Sequence, residues 1–153
     1  MSSLTVFKEV LERTEVEFED EGGFLRIGWT SDAGDYLQFV AVRAFETPGV
    51  QGEKIEITSI PEISIPEARR TDVAVLFSRM NWEMAMGSWE LDFADGQIRF
   101  RIGFATSEPL SEPIAQYLLA MSGQETSQAL GAVGSLASGA GSVDEAFRDW
   151  SGQ

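Results

Sequence analysis

The chain has 153 residues, of which 43% are hydrophobic and 10% aromatic, so it can form one folded domain with an apolar core. Its 25 acidic residues exceed its 11 basic residues, which gives a net charge of −14. DNA, RNA and anionic membranes bind clustered Lys and Arg side chains, so this charge argues against a nucleic-acid partner and against a membrane partner. The same acidity favours solubility and attracts basic protein segments.

The chain contains neither cysteine nor histidine. Disulfides, thiolate catalysis and Cys-ligated zinc are therefore excluded, together with His-based catalysis and His-ligated metals. We predict no catalytic residue, no metal ligand and no cofactor, and hence a protein that is not an enzyme. A cation site made only of carboxylates stays open, with candidate ligands on two turns: Asp32, Asp35, Asp92 and Asp95.

We expect no secretory signal in the first 14 residues, because Lys8, Glu9, Glu12 and Arg13 interrupt their apolar positions. No stretch approaches the roughly 18 consecutive apolar residues of a membrane-spanning helix. The predicted location is the cytoplasm.

The first half of the chain is predicted to form one helix followed by antiparallel strands. Apolar residues recur at helical spacing over residues 4–14, and Ser3 is the expected N-cap. Apolar and acidic residues alternate from Glu15 to Glu21, which predicts a half-exposed strand before the Gly22-Gly23 turn. Three further strands are predicted at residues 24–29, 36–45 and 54–60, separated by loops at 30–35 and 47–52.

A second helix is predicted over residues 66–80, where the spacing of apolar residues becomes helical. Ser64 and Glu67 form the expected capping box at its start, and Asn81 is the expected stop.

The next segment is predicted to be a bulged strand. Trp82, Met84 and Met86 lie in opposite phase to Trp89, so a bulge at Gly87-Ser88 is expected to bring the strand back into phase.

The pair Asp95-Gly96 predicts a two-residue hairpin loop between strands at residues 89–93 and 98–102. This loop fixes a register in which apolar residues share one face and opposite charges meet on the other. The predicted pairs are Phe93 with Ile98, Leu91 with Phe100, Trp89 with Ile102, Asp92 with Arg99, and Glu90 with Arg101.

The last third is predicted to be helical. One segment begins near Ser111 and places Ile114, Tyr117, Leu118 and Met121 on one face, and a weaker one runs from Gln124 to Ala137. A Gly-Ser hinge at 138–142 separates residues 1–137, predicted to be a single domain, from a short C-terminal segment at 138–153. A capping box of Ser142 and Glu145 begins a last helix with a stripe of Val143, Phe147 and Trp150.

This order of elements and one stretch of sequence resemble the YbjN-like family of bacterial proteins, whose fold is similar to that of class I type III secretion chaperones. The stretch holds a helix that ends in Asn81, the hairpin motif Leu91-Asp92-x-x-Asp95-Gly96, and a returning strand with Arg99 and Arg101. The resemblance covers residues 70–130 best. It implies an α+β fold, with an antiparallel sheet of five to six strands packed against helices, and it transfers no catalytic residue.

The resemblance implies a function in binding proteins, since the secretion chaperones are small, acidic and commonly dimeric and hold extended segments of a client. We therefore expect a non-enzymatic, homodimeric module that binds a protein or peptide client, as a chaperone or a regulatory adaptor. The alternative is a regulator that senses a small molecule or a divalent cation, which requires a pocket with convergent polar groups.

Five residues are candidates for contact with the partner. Trp82, Met84 and Met86 form a soft, aromatic run that suits adaptable binding, although packing in the core explains such a run as well. Phe147 and Trp150 lie beyond the hinge, on a helix that docks either on a partner or on its own core.

Overall fold

The computed structural model of the protein describes residues 1–153, which form a six-stranded antiparallel sheet and four α-helices. The helices are α1 (Ser3–Arg13), α2 (Arg70–Glu83), α3 (Glu112–Ala137) and α4 (Val143–Ser151). The strands are β1 (Glu19–Asp20), β2 (Phe24–Trp29), β3 (Tyr36–Thr47), β4 (Val50–Pro61), β5 (Ser88–Leu91) and β6 (Ile98–Thr106). The predicted α+β class is confirmed.

The strands lie side by side in the order β1-β2-β3-β4-β6-β5, and every neighbouring pair is antiparallel. The long β3–β4 hairpin forms the middle of the sheet. Its strands pair down to Thr47 and Val50, so the turn contains only Pro48 and Gly49. The loop predicted at 47–52 is therefore shorter than expected, because Gly49 takes a positive φ of 82° that closes the turn within two residues.

The core lies between one face of the sheet and the helices. Alternate residues of each strand point into it, and Leu25, Ile27, Ile55 and Ile57 are almost completely buried. The apolar stripe of α1 joins the same cluster through Val6, Phe7, Val10 and Leu11, while α3 contacts α1 and strands β4 and β6. One continuous cluster of 27 buried apolar residues results, as a single domain core requires.

The β5–β6 hairpin has a longer loop and a different register from those predicted. Leu91 pairs with Ile98 and Trp89 with Phe100, a shift of two residues. Backbone hydrogen bonds close the loop from Asp92 to Gln97 and from Gly96 to Asp92, each at 2.8 Å. A shift of two residues leaves the side chains of the paired residues on their expected faces, although the predicted partners are wrong. Phe93, which was predicted to pair with Ile98 on the core face, lies in the loop and is 56% exposed.

The shift also changes the charge pairs of this hairpin. Glu90 accepts hydrogen bonds from both Arg99 and Arg101, whereas Asp92 accepts one from the backbone N–H of Ala94. Partial burial opposes ionisation of Glu90, but the hydrogen bonds from Arg101 and Arg99 outweigh it and lower the pKa of that carboxyl.

Contacts with the segment before α2 explain the longer loop. The N–H of Ile65 donates to the carbonyl oxygen of Gly96 at 2.9 Å, and a Cβ on Gly96 would lie 2.2 Å from the Ile65 carbonyl oxygen. The Ser64 hydroxyl donates to the carbonyl of Asp95 at 2.7 Å, and Arg70 donates to that of Phe93 at 2.9 Å. Ser64 is thus unavailable to cap α2, and the predicted capping box does not form.

Several predicted boundaries are wrong by a few residues. Helix α1 is capped by Ser2 rather than Ser3, whose hydroxyl instead bonds Glu53 and the N–H of Leu110. Most of the acidic run is not a strand, because Glu15 takes a positive φ of 57° and only Glu19–Asp20 pair with β2.

The C-terminal helical region is continuous where two segments were expected. Helix α3 runs unbroken over 26 residues, and its buried face includes Leu118 but not Ile114 and Tyr117, which are exposed. The capping box of Ser142 and Glu145 at the start of α4 is confirmed. No helix combines the length and the apolar character needed to cross a membrane.

Candidate functional site

The predicted partner-binding residues lie in two places. Trp82 occupies the last turn of α2, and Met84 and Met86 follow in the turn that leads to β5. The expected strand at 82–86 and its bulge are wrong, because α2 continues past Asn81 to Glu83 and the chain reverses at Gly87, which has a φ of 80°. Phe147 and Trp150 lie on α4.

Trp82 is the most exposed large apolar side chain of the protein, at 87% of its full accessible surface. It stands beside an open groove of about 530 Å³ between α2 and the β5–β6 hairpin. We call this the α2–β5 groove; it is lined by Ala74, Phe77, Ser78, Asn81, Trp82, Trp89, Leu91 and Phe93. Phe93, which also lines the groove, is 56% exposed. Of the two methionines, Met86 is 45% exposed, whereas Met84 is packed against the core.

The floor of the groove is rigid. Trp89 is 2% exposed and packs between Phe77 and Phe100, with ring centroids 5.3 Å and 5.5 Å away. Aromatic side chains in such contact fix one another's orientation. On the helical wall, Ala74 and Ser78 precede Trp82 at four-residue spacing, so the small side chains leave room beside the exposed indole.

The side chain of Asn81 closes the outer edge of β5. Its amide oxygen accepts the N–H of Trp89 at 2.8 Å, and its amide nitrogen donates to the Trp89 carbonyl at 3.0 Å. These are the two backbone groups that an added strand would need at this position. A strand therefore cannot be added to the sheet at β5 while this contact is in place.

Replacing Asn81 with alanine is expected to lower the free energy of unfolding by about 1–3 kcal/mol, because two backbone groups of Trp89 lose their partners. Urea unfolding followed by circular dichroism measures this change. Ser78→Ala is the matched control, since its exposed side chain lines the same groove without such bonds. A loss no larger for Asn81→Ala than for Ser78→Ala would show that the edge contact does not stabilise the fold.

The rim of the groove is acidic. Glu83, Asp92 and Asp95 are exposed, and all ion pairs of the structure involve other residues. The nearby Arg70 guanidinium is occupied by the carbonyl groups of Ile65, Phe93 and Ala94. The rim therefore favours a basic ligand over an acidic one.

Helix α4 lies folded back on the protein's own core. The indole N–H of Trp150 donates to Oε1 of Glu125 at 2.8 Å, and the Trp150 side chain is 8% exposed. Arg79 of α2 forms an ion pair with Asp144 at 2.5 Å and lies over the ring of Phe147, 4.2 Å from its centroid. Phe147 and Trp150 thus contact the core here, and their role in binding a partner stays a prediction.

Glu125 is a central residue that the sequence analysis missed. Its Oε1 atom also accepts the indole N–H of Trp89 at 3.0 Å, so one carboxylate oxygen on α3 joins the groove floor to α4. Burial raises the pKa of Glu125, and the hydrogen bonds from Trp89 and Trp150 offset only part of that effect. A signal was available in the sequence, because Glu125 is the only charged residue between Pro113 and Ala137.

No group of three or more carboxylates is placed to hold a metal ion. Of the four aspartates considered as cation ligands, Asp92 and Asp95 accept backbone N–H groups of their own turn at 2.8 Å. A comparison of the chain with protein-family models finds no match, and a comparison with curated proteins finds no relative.

Proposed function

We propose that the protein is a non-enzymatic, cytoplasmic binding module that holds a segment of a client protein in the α2–β5 groove. The observation that carries this proposal is the 87% exposure of Trp82 beside a groove with a rigid aromatic floor. Exposed apolar surface next to a preformed groove is typical of interfaces between proteins, and Trp is the residue type most enriched among their strongest contacts.

The distribution of charge over the protein indicates which kind of client segment the groove favours. The face of the sheet opposite the core carries five of the 11 basic residues, namely Arg26, Arg43, Lys54, Arg99 and Arg101, as the strand register places them. The four helices, which cover the other face, carry nine acids against five bases. The α2–β5 groove lies on this acidic side, so we expect a client segment that carries one or two large apolar side chains flanked by Lys or Arg.

The resemblance to the YbjN-like family and to secretion chaperones supports a chaperone or regulatory adaptor. The fold has the α+β order that this resemblance implies, with an antiparallel sheet and helices on one face. We further propose a homodimer, as is common among such chaperones. Since fold alone does not establish function, the groove and not the topology carries the argument.

Trp82→Ala is expected to abolish recovery of the client while leaving the free energy of unfolding within about 0.5 kcal/mol of the wild type, because the side chain is exposed. The measurement is affinity capture from the host cytoplasm at low salt, read by mass spectrometry, followed by a binding titration with the purified partner. Val75→Ala is the matched control, since Val75 is 47% exposed on the same helix but does not line the groove.

The proposal fails if Trp82→Ala retains the same partners as the wild type, or if Val75→Ala loses them equally. Recovery of the protein with itself alone, lost on Trp82→Ala, would replace the client with a second copy of the chain.

A further inference from the structure

A second cavity, of about 370 Å³, lies on the other side of the core from the α2–β5 groove, and the two share no lining residue. It opens between α1, α3 and the β2–β3 loop. Its apolar wall includes Val10, Leu11, Trp29, Tyr36, Leu119 and Ala120. None of its 12 lining residues carries a charge, although 24% of the chain is charged. This volume and apolar character are typical of small-molecule sites.

The aromatic wall of the cavity is held in place from behind. The indole N–H of Trp29 donates to Oε1 of Gln38 at 3.0 Å, and the amide of Gln38 reaches the carbonyl of Leu119 in a long hydrogen bond of 3.5 Å. Gln38 is completely buried, so this contact fixes Trp29 to α3 through the interior. The rings of Trp29 and Tyr36 then stack at 6.4 Å with an interplanar angle of 24°. This aromatic wall is therefore in place before any ligand binds.

Polar groups are few and converge on one part of the cavity. The Tyr36 hydroxyl lies 3.5 Å from the carbonyl oxygen of Gly123. A Cβ at position 123 would come within 2.9 Å of that hydroxyl, so glycine allows the approach. Gln124, the next residue, and Ser127, one turn further along α3, add an amide and a hydroxyl to the lining of the cavity. A ligand can therefore form a directed hydrogen bond at this point while its remainder contacts apolar side chains.

We propose that this cavity binds an uncharged, flat aromatic molecule that carries a hydrogen-bonding group. A charged ligand would lose its hydration without meeting an opposite charge, which is unfavourable in an apolar site. An aromatic ring of the ligand contacts the rings of Trp29 and Tyr36, and its polar group pairs with Tyr36, Gln124 or Ser127. This activity is separate from client binding, since the two sites are built from different residues.

The test uses two probes that share one ring system: the neutral N-phenyl-1-naphthylamine and its 8-sulfonate, which is anionic. Fluorescence titration of the full chain is expected to show saturable binding of the neutral probe, about tenfold or more tighter than that of the sulfonate. Ala120 is exposed and lines the cavity, so Ala120→Phe places a ring at its mouth. This variant is expected to lower the affinity for the neutral probe by about tenfold or more. Ser135→Phe, exposed on α3 outside the cavity, is the matched control and is expected to bind as the wild type does.

Trp82→Ala distinguishes this site from the groove. Retained binding in Trp82→Ala, together with loss in Ala120→Phe, supports the cavity whether or not the client proposal holds. If the neutral probe binds Ala120→Phe as tightly as the wild type, or the sulfonate binds as tightly as the neutral probe, the proposal is overturned. Loss of the signal in Trp82→Ala alone would assign the probe to the exposed groove and would equally overturn it.

Discussion

Trp89→Ala is expected to lower the free energy of unfolding by about 3–5 kcal/mol, the largest loss for any single substitution considered for this protein. Trp89 is 2% exposed and packs between Phe77 and Phe100. Its removal would leave a cavity at the meeting point of α2, β5 and β6, and would take away a hydrogen-bond donor of Glu125. Urea unfolding followed by circular dichroism measures the loss.

Two variants give this prediction its controls. Trp82→Ala removes the same side chain from an exposed position seven residues earlier and is expected to change the free energy of unfolding by no more than about 0.5 kcal/mol. Trp89→Phe keeps most of the apolar contact but loses the indole N–H, so an intermediate loss is expected. Equal losses for Trp82→Ala and Trp89→Ala would contradict the burial of Trp89 in the structure.

The contrast between Trp82 and Trp89 also shows where the sequence was sufficient. Strict alternation of apolar residues predicted the core face of the β5–β6 hairpin correctly, because side chains in a strand alternate whatever the register. The bounds of β2 followed from its two flanking turns, at Gly22-Gly23 and after Trp29. Local pattern is enough where one face of an element is buried and its ends carry turn residues.

The sequence was not sufficient where distant residues compete for the same groups. Asp95-Gly96 predicts a two-residue loop, but Gly96 bonds Ile65, and Ser64 bonds Asp95, so the loop widens. Asn81 looks like a helix stop, yet its amide pairs with the backbone of Trp89 and α2 continues beyond it. Trp82 is exposed because α2 continues past Asn81, and no local pattern around residue 82 predicts this exposure.

The partner-binding candidates illustrate the same limit. The two methionines and two of the tryptophans behave differently although their residue types are the same. Met84 and Trp150 pack on the core, whereas Met86 and Trp82 are exposed. Phe93, which lines the α2–β5 groove, was expected to lie on the core face and is 56% exposed because the hairpin register moved it into the loop. Residue type was enough to identify the region of the groove, but tertiary contacts determine which of the candidate residues are exposed to solvent.

Glu125→Ala is expected to lower the free energy of unfolding by about 2–4 kcal/mol and to loosen α4, because the indole N–H groups of Trp89 and Trp150 lose their common acceptor. Native-state hydrogen exchange of the α4 amides is expected to accelerate along with the global loss measured by urea unfolding. Glu112→Ala is the control, since Glu112 is the other acid of α3 and forms only a surface ion pair with Arg13. Wild-type protection of α4 in Glu125→Ala would show that the carboxylate does not hold this helix.

Glu125→Gln isolates the charge from the hydrogen bonds, because the amide oxygen still accepts both indole groups. The folded-state pKa of Glu125 is raised above its unfolded value, chiefly by burial, so folding favours the protonated form. Its contribution to stability is therefore fully present below the ordinary pKa of a glutamate and is lost as the pH rises through the raised folded value.

The difference in unfolding free energy between the wild type and Glu125→Gln is thus expected to fall across that window and to stay constant above it. Subtracting the two curves removes the titration of the other carboxylates, which both proteins share. A difference that is flat with pH would mean that the two indole N–H groups offset the effect of burial in full. A difference that grows as the pH rises would mean that they stabilise the ionised carboxylate more than burial opposes its ionisation. In that case α4 would be held most firmly by the ionised carboxylate, and the release of Trp150 from the core would become easier on acidification rather than at neutral pH.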